Sequence, residues 1–155
     1  MIKKAYRLNL DLQFGTAKLQ EKWEEVITPL KVKKWAKAAL QDNATITLRF
    51  VGSAEGKKLN LTYRHKDYAT NVLTFPYESM PGTDEIFADI VICLPVVEKE
   101  AKAQKKTFEQ HLIHLIVHGT LHAQGFDHED NVEAEGMEEL EIAILKKLKQ
   151  VNPYI

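Results

Sequence analysis

The histidines of this chain are concentrated in one short segment. Four of the six lie between positions 111 and 122, and a fifth follows at His128. Imidazole is the side chain that proteins use most often to bind transition metals. Because an α-helix turns once about every 3.6 residues, His118 and His122 would lie on one helix face, one turn apart. This spacing indicates that both can bind one metal ion.

A third ligand is predicted beyond the end of that helix. Gly125 follows His122 by three residues, where glycine can adopt the left-handed conformation that ends a helix and turns the chain back. His128 could then reach the same point. Three imidazoles and one open position form the ligand set of a catalytic zinc site, which lowers the pKa of a bound water to about 7. We therefore predict one zinc ion on His118, His122 and His128, with nickel or another first-row metal as the alternative.

Other interpretations of this segment stay open. Histidines on an apolar helix are most often hydrogen-bonded core residues, although burying several unpaired imidazoles is costly. His114 and His118 are also four residues apart, but that pair lacks a third ligand after a turn. His111 and His114 are expected in the helix interior or in a pocket wall. Asp127 could orient a ligand imidazole or only cap the turn, and Met137 could pack beneath the metal or in the core.

The residue that follows the first ligand determines which chemistry is available. Zinc proteases have the pattern H-E-x-x-H-x-x-G-x-x-H, in which the glutamate is the general base. This chain has the same ligand spacing, but Gly119 stands in place of that glutamate. Peptide hydrolysis by that mechanism would lack its base, so a different substrate or a different base is required.

A second candidate site is the polar, cation-rich segment 63–71. Arg64 could present its planar guanidinium to phosphate oxygens and, beside a metal, stabilise a phosphoryl transition state. Lys57, Lys58 and Lys66 add positive charge. The formal net charge of the chain is -1, so a polyanion would have to be bound by such a local patch. The alternative is that the segment is only a solvated loop.

Four stretches carry the patterns of β-strands. In the first, leucines and Phe14 alternate with polar residues, which is typical of a strand with one buried face. The predicted strands cover residues 7–14, 45–50, 72–75 and 86–94. The lone Cys93 lies in the last, apolar strand, which predicts a core residue rather than a nucleophile and fits a reducing cytoplasm.

About five helices are predicted around these strands. An amphipathic helix with a basic outer face follows Pro29, and Ser53 can cap a short one. After the last strand the pattern is helical to the C-terminus, with two breaks. The helix that begins after Thr107, with a capping box formed with Gln110, is apolar around its whole axis. The predicted fold class is α+β, a small four-stranded mixed sheet packed with about five helices, one of them a buried central metal-binding helix.

Length and composition limit the remaining possibilities. With 155 residues, 45% of them hydrophobic and 28% charged, the chain fits one globular domain over residues 1–155. No apolar stretch reaches the ~18 residues of a membrane span, and the N-terminus has no signal-type apolar block. These features predict a cytoplasmic protein without a membrane partner.

Taken together, these segments resemble the YbeY family of bacterial endoribonucleases, the rRNA maturation factors. The similarity runs from about residue 51 to the C-terminus, and the first forty or so residues carry little family signal. The motifs are LNLTYR at 59–64, KD at 66–67, TNVL at 70–73, FP at 75–76, DIVIC at 89–93 and the histidine segment 118–128.

The resemblance implies cleavage of single-stranded RNA, in the maturation of the 3′ end of small-subunit ribosomal RNA and in ribosome quality control. It places zinc on His118, His122 and His128 and a catalytically important arginine at Arg64. It also implies association with the small ribosomal subunit and its proteins, for which Asp89 is a candidate contact.

The sequence is also compatible with two other functions. One is a metalloprotease-like hydrolase, which the ligand spacing favours and Gly119 opposes. The other is a non-catalytic ribosome-assembly factor whose zinc is purely structural. The family also commonly has glycine at positions 65 and 88 and often proline at 69, where this chain has His65, Ala88 and Ala69. The loop geometry near Arg64 could therefore differ from that of the family.

Overall fold

A four-stranded mixed sheet forms the centre of the structure. The computed structural model describes residues 5–78, 82–126 and 130–154. The strands are β1 (Leu8–Phe14), β2 (Ala44–Val51), β3 (Val72–Pro76) and β4 (Ile86–Cys93). Their order in the sheet is β1-β2-β4-β3, with β1, β2 and β4 parallel and β3 antiparallel to β4. All four strands were predicted, with bounds that differ by one residue or two.

Six helices surround the sheet in the described part of the chain. They are α1 (Ala17–Trp23), α2 (Pro29–Ala38), α3 (Ser53–Arg64), α4 (Leu94–Ala103), α5 (Phe108–Ala123) and α6 (Asn131–Lys147). The predicted α+β class and mixed sheet are confirmed. The sequence did not predict α1, a helix of seven residues in which only Leu19 and Trp23, both partly buried, pack against the core. So few apolar residues give a weak helical period. The single domain over residues 1–155 stays a prediction.

The two faces of the sheet pack against hydrophobic clusters of different size. Alternate residues of β2 and β4, such as Ile46 and Ile90, pack into the main core with α2 and α5. The side chains between them on β4, Val91 and Cys93, join a smaller cluster with Leu59 of α3. Cys93 is 1% exposed and burial raises the pKa of its thiol, which confirms the predicted core role.

The predicted central helix is α5, and most of its length is buried. Ten of its residues are inaccessible or nearly so. The capping box between Thr107 and Gln110 is present, so the first turn has its backbone N–H groups satisfied. The helix ends where Gly125 adopts a φ of +93°, as the sequence predicted.

One predicted cap is wrong. Ser53 is the first residue of α3 rather than its cap, and Gly52 occupies the cap position without a side-chain hydrogen bond. The reason is the short connection, because β2 runs to Val51 and leaves a single residue before the helix. At the other end the helix continues to Arg64, and His65 follows in the left-handed conformation with a φ of 60°.

None of the helices in the described ranges combines the length and hydropathy that a membrane crossing requires.

Gly119 lets α5 lie against the sheet at close range. A Cβ atom at this position would lie 3.1 Å from a methyl carbon of Ile90 and 3.2 Å from one of Val72. We expect Gly119→Ala to lower the free energy of unfolding by about 1–3 kcal/mol, since inserting a carbon into a packed core forces its neighbours apart. Urea unfolding monitored by circular dichroism measures the change.

Gly136→Ala is the matched control for this substitution. Gly136 also lies inside a helix, but nothing is within 4 Å of an added Cβ atom there. Alanine should therefore leave stability unchanged or raise it by up to about 1 kcal/mol. Equal effects of the two substitutions would contradict the close approach at Gly119.

Candidate metal centre

Four histidines form one stripe along α5. Spacings of three and four residues place His111, His114, His118 and His122 above one another on the helix surface. Their ring centroids are 6.1, 6.1 and 4.5 Å apart in that order. The shortest separation is the one between His118 and His122, the two residues predicted to bind metal.

His118 and His122 direct the same ring atom toward one point. Their Nε2 atoms are 3.0 Å apart. Two nitrogens bound to one tetrahedral zinc at about 2.0–2.1 Å are separated by about 3.3 Å, so this pair needs little adjustment to hold the ion. The donor set and its spacing therefore fit zinc. The predicted third ligand, His128, and the adjacent Asp127 lie outside the described residues.

Glu141 of α6 lies directly behind this pair, and the sequence did not identify it. Its side chain is completely buried. His118 Nδ1 donates to one carboxylate oxygen at 2.5 Å. The other oxygen accepts from His114 Nε2 at 3.0 Å and from the Tyr154 hydroxyl at 2.5 Å. One carboxylate thus links the central helix, the last helix and the C-terminal segment.

The three donors determine the charge of Glu141. Burial opposes its ionisation, but the hydrogen bonds from His114, His118 and Tyr154 outweigh burial and lower its pKa to about 2. Burial and the hydrogen bond to Glu141 raise the pKa of Tyr154. Near neutral pH the carboxylate is therefore ionised and can only accept hydrogen bonds, while the phenol stays protonated.

A second grouping of donor atoms is present but fits a metal less well. Atoms of His114, His118 and Glu141 lie within 4.8 Å of one another. Glu141 already accepts hydrogen bonds from both imidazoles, and ligand atoms on one zinc would have to stand farther apart than the 2.5 Å to His118. We therefore interpret Glu141 as a hydrogen-bond partner of a ligand, and His114 as a support for Glu141.

A sequence signal for Glu141 existed. On α6 it shares the buried helix face with Met137, Ile144 and Leu145, at helical spacing from each. A single carboxylate within an apolar stripe indicates a buried partner. The five glutamates of this helix obscured it, because the other four form a solvated acidic face. Met137 itself packs in the main core, 2% exposed.

His111 has a separate partner. It is 3% exposed, and its Nε2 lies 2.9 Å from a carboxylate oxygen of Glu100, which also accepts from Asn71 at 3.0 Å. Burial lowers the pKa of His111, with Glu100 opposing the shift. The ring is thus a neutral interior residue, and the cluster ties α5 to α4 and to the residue before β3.

A half-open, polar cavity of about 350 Å³ adjoins His118. It extends along the histidine stripe of α5. Its other lining residues come from the start of β3, from α4 and from the C-terminal segment, among them Asn71, Val72, Glu100, Lys106 and Tyr154. A cavity of this size can hold a small-molecule group beside the metal ligands.

Gly119 has no space for the protease base. The position at which zinc proteases carry glutamate faces β3 and β4, where even a single added carbon meets Ile90 and Val72. The site therefore combines the ligand spacing of those enzymes with a surface that excludes their catalytic carboxylate.

The structure does not bring Arg64 into contact with the histidines. Arg64 is the exposed last residue of α3, and its side chain makes no hydrogen bond or ion pair with another described residue. The loop after it is held by the buried Asn60, which donates to the carbonyl of Tyr68 at 2.7 Å. This loop leads into β3, whose Val72 lies against α5 at Gly119.

Asp89 lies away from the metal centre. It belongs to β4 next to Val91, on the sheet face that α3 only partly covers, and it accepts a hydrogen bond from the hydroxyl of Tyr77. Both residues line a groove of about 600 Å³, together with Arg49, Glu55 and Tyr63.

Comparison with known proteins identifies the family. A profile described as Endoribonuclease YbeY matches residues 10–149. The chain belongs to the YbeY family. The endoribonucleases YbeY of Polynucleobacter asymbioticus and of Janthinobacterium sp. (strain Marseille) are each 52% identical to it over 149 residues, which cover 96% of this chain and 95% of each relative. The family match thus extends well before residue 51, where the sequence motifs began.

One solved structure is similar to this chain over most of its length. The solution structure of TM1509 from Thermotoga maritima is 26% identical, with a TM-score of 0.50, and covers 90% of this chain and 91% of that one.

The paired imidazoles can be tested by measuring metal binding. His122→Ala should weaken zinc binding by more than about 100-fold, because a direct ligand contributes more than the hydrogen-bonded partners whose loss costs about 10–100-fold. Competition with a chromophoric chelator measures the affinity. His65→Asn is the control, since His65 is exposed and asparagine tolerates its left-handed backbone. Unchanged affinity in His122→Ala would contradict the site.

Proposed function

We propose that this YbeY family member is a zinc-dependent endoribonuclease that cleaves single-stranded RNA. It would act in the maturation of the 3′ end of small-subunit ribosomal RNA and in ribosome quality control. The observation that carries the proposal is the 3.0 Å separation of the His118 and His122 Nε2 atoms beside a polar cavity. The names of the relatives support RNA as the substrate. This role places the protein in the cytoplasm.

One zinc ion per chain would be held by His118, His122 and His128. When bound, zinc supplies Lewis-acid activation of a water molecule or of the RNA 2′-hydroxyl, and it polarises the phosphate. The contribution of the protein is to fix the imidazoles on a buried helix and to leave one side of them open. The substrate would enter through the half-open cavity that His118 lines.

Arg64 would bind the phosphate. Its guanidinium is exposed and carries a fixed positive charge, and a planar fork can contact two phosphate oxygens at once. Donation to the non-bridging oxygens would offset the charge that develops during cleavage. Because Arg64 and the histidines are not in contact, the RNA would bridge them.

The dimensions of the cavity favour single-stranded RNA. A space of about 350 Å³ accepts one unstacked base or sugar, not a base-paired helix. Proteins that recognise single-stranded RNA commonly bind such splayed nucleotides and contact their edges with polar side chains. Asn71, Glu100 and Lys106 offer both donors and acceptors there.

The two rival functions are less well supported. A protease-like mechanism needs a base where Gly119 leaves no space. A purely structural zinc needs a closed set of four ligands, whereas a cavity adjoins His118. An RNA cleavage assay with metal-loaded protein separates all three possibilities.

Arg64→Ala should lower kcat/KM for a single-stranded RNA by about 100–1,000-fold, the usual cost of losing a donor to a transition-state oxyanion. Zinc content should not change, since Arg64 is not a ligand. Arg64→Lys should recover only part of the loss because a point charge lacks the planar fork. Lys66→Ala, an exposed cation in the same loop, is the control and should have a much smaller effect.

The outcome that contradicts this function is equally clear. If the wild type, Arg64→Ala and His118→Ala all degrade the RNA at the same rate, the activity belongs to a contaminating nuclease.

Asp89 is proposed as a contact for a protein of the small ribosomal subunit. Its carboxylate lines the groove along with the exposed rings of Tyr63 and Tyr77, whereas Glu55 in the same groove is already paired with Arg49. Carboxylates beside aromatic rings suit a basic protein segment, through charge pairing and cation–π contacts. The groove lies on the smaller core face of the sheet, so such a partner would leave the cavity beside His118 open to RNA.

Asp89→Lys should weaken binding to purified small subunits by at least about tenfold, because it places a like charge against a basic partner. Cleavage of free RNA should stay at the wild-type rate. Glu139→Lys, an exposed charge reversal on α6, controls for the change in net charge. Co-sedimentation measures binding, and equal losses in both variants would rule out a specific contact at Asp89.

A further inference from the structure

We propose that Glu141 fixes His118 in the one tautomer that binds metal through Nε2, and that His114 and Tyr154 hold Glu141 in place for this task. Glu141 is thus a positioning residue, since it acts through His118. The assignment deepens the proposed function and rests on it for the identity of His118 as a ligand.

The tautomer follows from the partners of the two ring nitrogens. A neutral imidazole carries one N–H group and one lone pair. The ionised carboxylate of Glu141 can only accept, so the nitrogen at 2.5 Å from it, His118 Nδ1, has to be the donor. The lone pair is then on Nε2, which is the atom 3.0 Å from His122 Nε2. Glu141 therefore directs the metal-binding lone pair toward the second ligand.

Glu141 can do this because it has no alternative position. Its side chain is completely buried, so it cannot turn toward water. One oxygen serves His118, and the other is occupied by His114 and Tyr154. An ionised carboxylate in the interior is costly unless its oxygens accept such hydrogen bonds. The hydrogen bonds from His114 and Tyr154 thus stabilise the negative charge of Glu141 next to His118.

The arrangement should increase metal affinity in two ways. The ring is oriented before the metal arrives, so binding does not have to overcome its rotational freedom. The negative charge on the far side of the imidazole also makes Nε2 a stronger donor to a cation. Removing such a carboxylate partner from a metal-binding histidine typically weakens affinity by about 10–100-fold.

The decisive experiment compares Glu141→Gln with Glu139→Gln in a zinc competition assay without RNA. An amide at position 141 has its own N–H donors, and one of them facing His118 Nδ1 would force the proton onto Nε2, the wrong tautomer for the metal. We expect zinc affinity to fall about 10–100-fold in Glu141→Gln. Glu139, an exposed glutamate on the same helix, should show wild-type affinity when replaced.

A purely structural role for Glu141 predicts a different result. The melting temperature of the metal-free protein would then fall, while the zinc affinity of the folded fraction would equal that of the wild type. That outcome would overturn the proposal. Because the assay contains no RNA, a protein that binds zinc normally but does not cleave RNA would count against the proposed function and not against this role.

A second measurement uses the unmodified protein and does not depend on whether the variant folds. Long-range ¹H–¹⁵N spectra distinguish the two neutral tautomers of histidine. In metal-free protein, at a pH where the spectra show a neutral ring, His118 should be protonated at Nδ1. Protonation at Nε2 would refute the assignment. Tyr154→Phe removes only one donor to the opposite oxygen, so it should keep this tautomer and weaken zinc binding by less than tenfold.

Discussion

A buried helix that carries four imidazoles has to supply each of them with a polar partner, and much of this fold follows from that requirement. Ten residues of α5 are buried, so water cannot satisfy most of its polar groups. Unpaired polar atoms in such a place cost free energy comparable to several packed methyl groups. Glu100 pairs with Nε2 of His111, Glu141 pairs with Nε2 of His114 and Nδ1 of His118, and the Nε2 atoms of His118 and His122 pair with each other. Among the described residues, only the Nδ1 atoms of His111 and His114 on this stripe are buried without a partner.

The carboxylates of Glu100 and Glu141 come from different helices, so the site forms only when α4, α5 and α6 pack together. Glu100 lies on α4 and Glu141 on α6, and both meet the histidine stripe of the central helix. Each is held by a further residue, Asn71 before β3 and Tyr154 near the C-terminus. The histidines are therefore oriented by contacts spread over the sheet and the last helices, not by a local loop. Such support is what allows ligand atoms to stay in place without a metal.

The close approach of α5 to the sheet determines which reaction this ligand pattern can serve. Zinc proteases share the spacing but place a carboxylate where Gly119 faces Ile90 and Val72. Here even a single added carbon would lie 3.1 Å from Ile90 and 3.2 Å from Val72, which leaves no space for a glutamate. The same contact fixes α5 against β3, the strand entered from the loop after Arg64. This packing thus excludes the protease carboxylate in a family whose members are named for RNA cleavage.

The sequence by itself determined those features that depend on neighbours along the chain. Alternation predicted the first two strands, and short apolar runs bounded by turn residues predicted the other two. Apolar residues around the whole axis of α5 indicated a central helix, and the capping box at Thr107 and the turn at Gly125 indicated its ends. Spacing alone placed His118 and His122 on one face.

Only the tertiary structure decided the rest, because those interactions join residues that are distant along the chain. Gly52 takes the cap position instead of Ser53 because β2 ends just before α3. The short α1 packs only two partly buried side chains against the core, too few to give a clear helical period. Glu141 follows His118 by 23 residues and is one glutamate among five on its helix. Local periodicity cannot tell which glutamate meets an imidazole, and that depends on how α6 packs against α5.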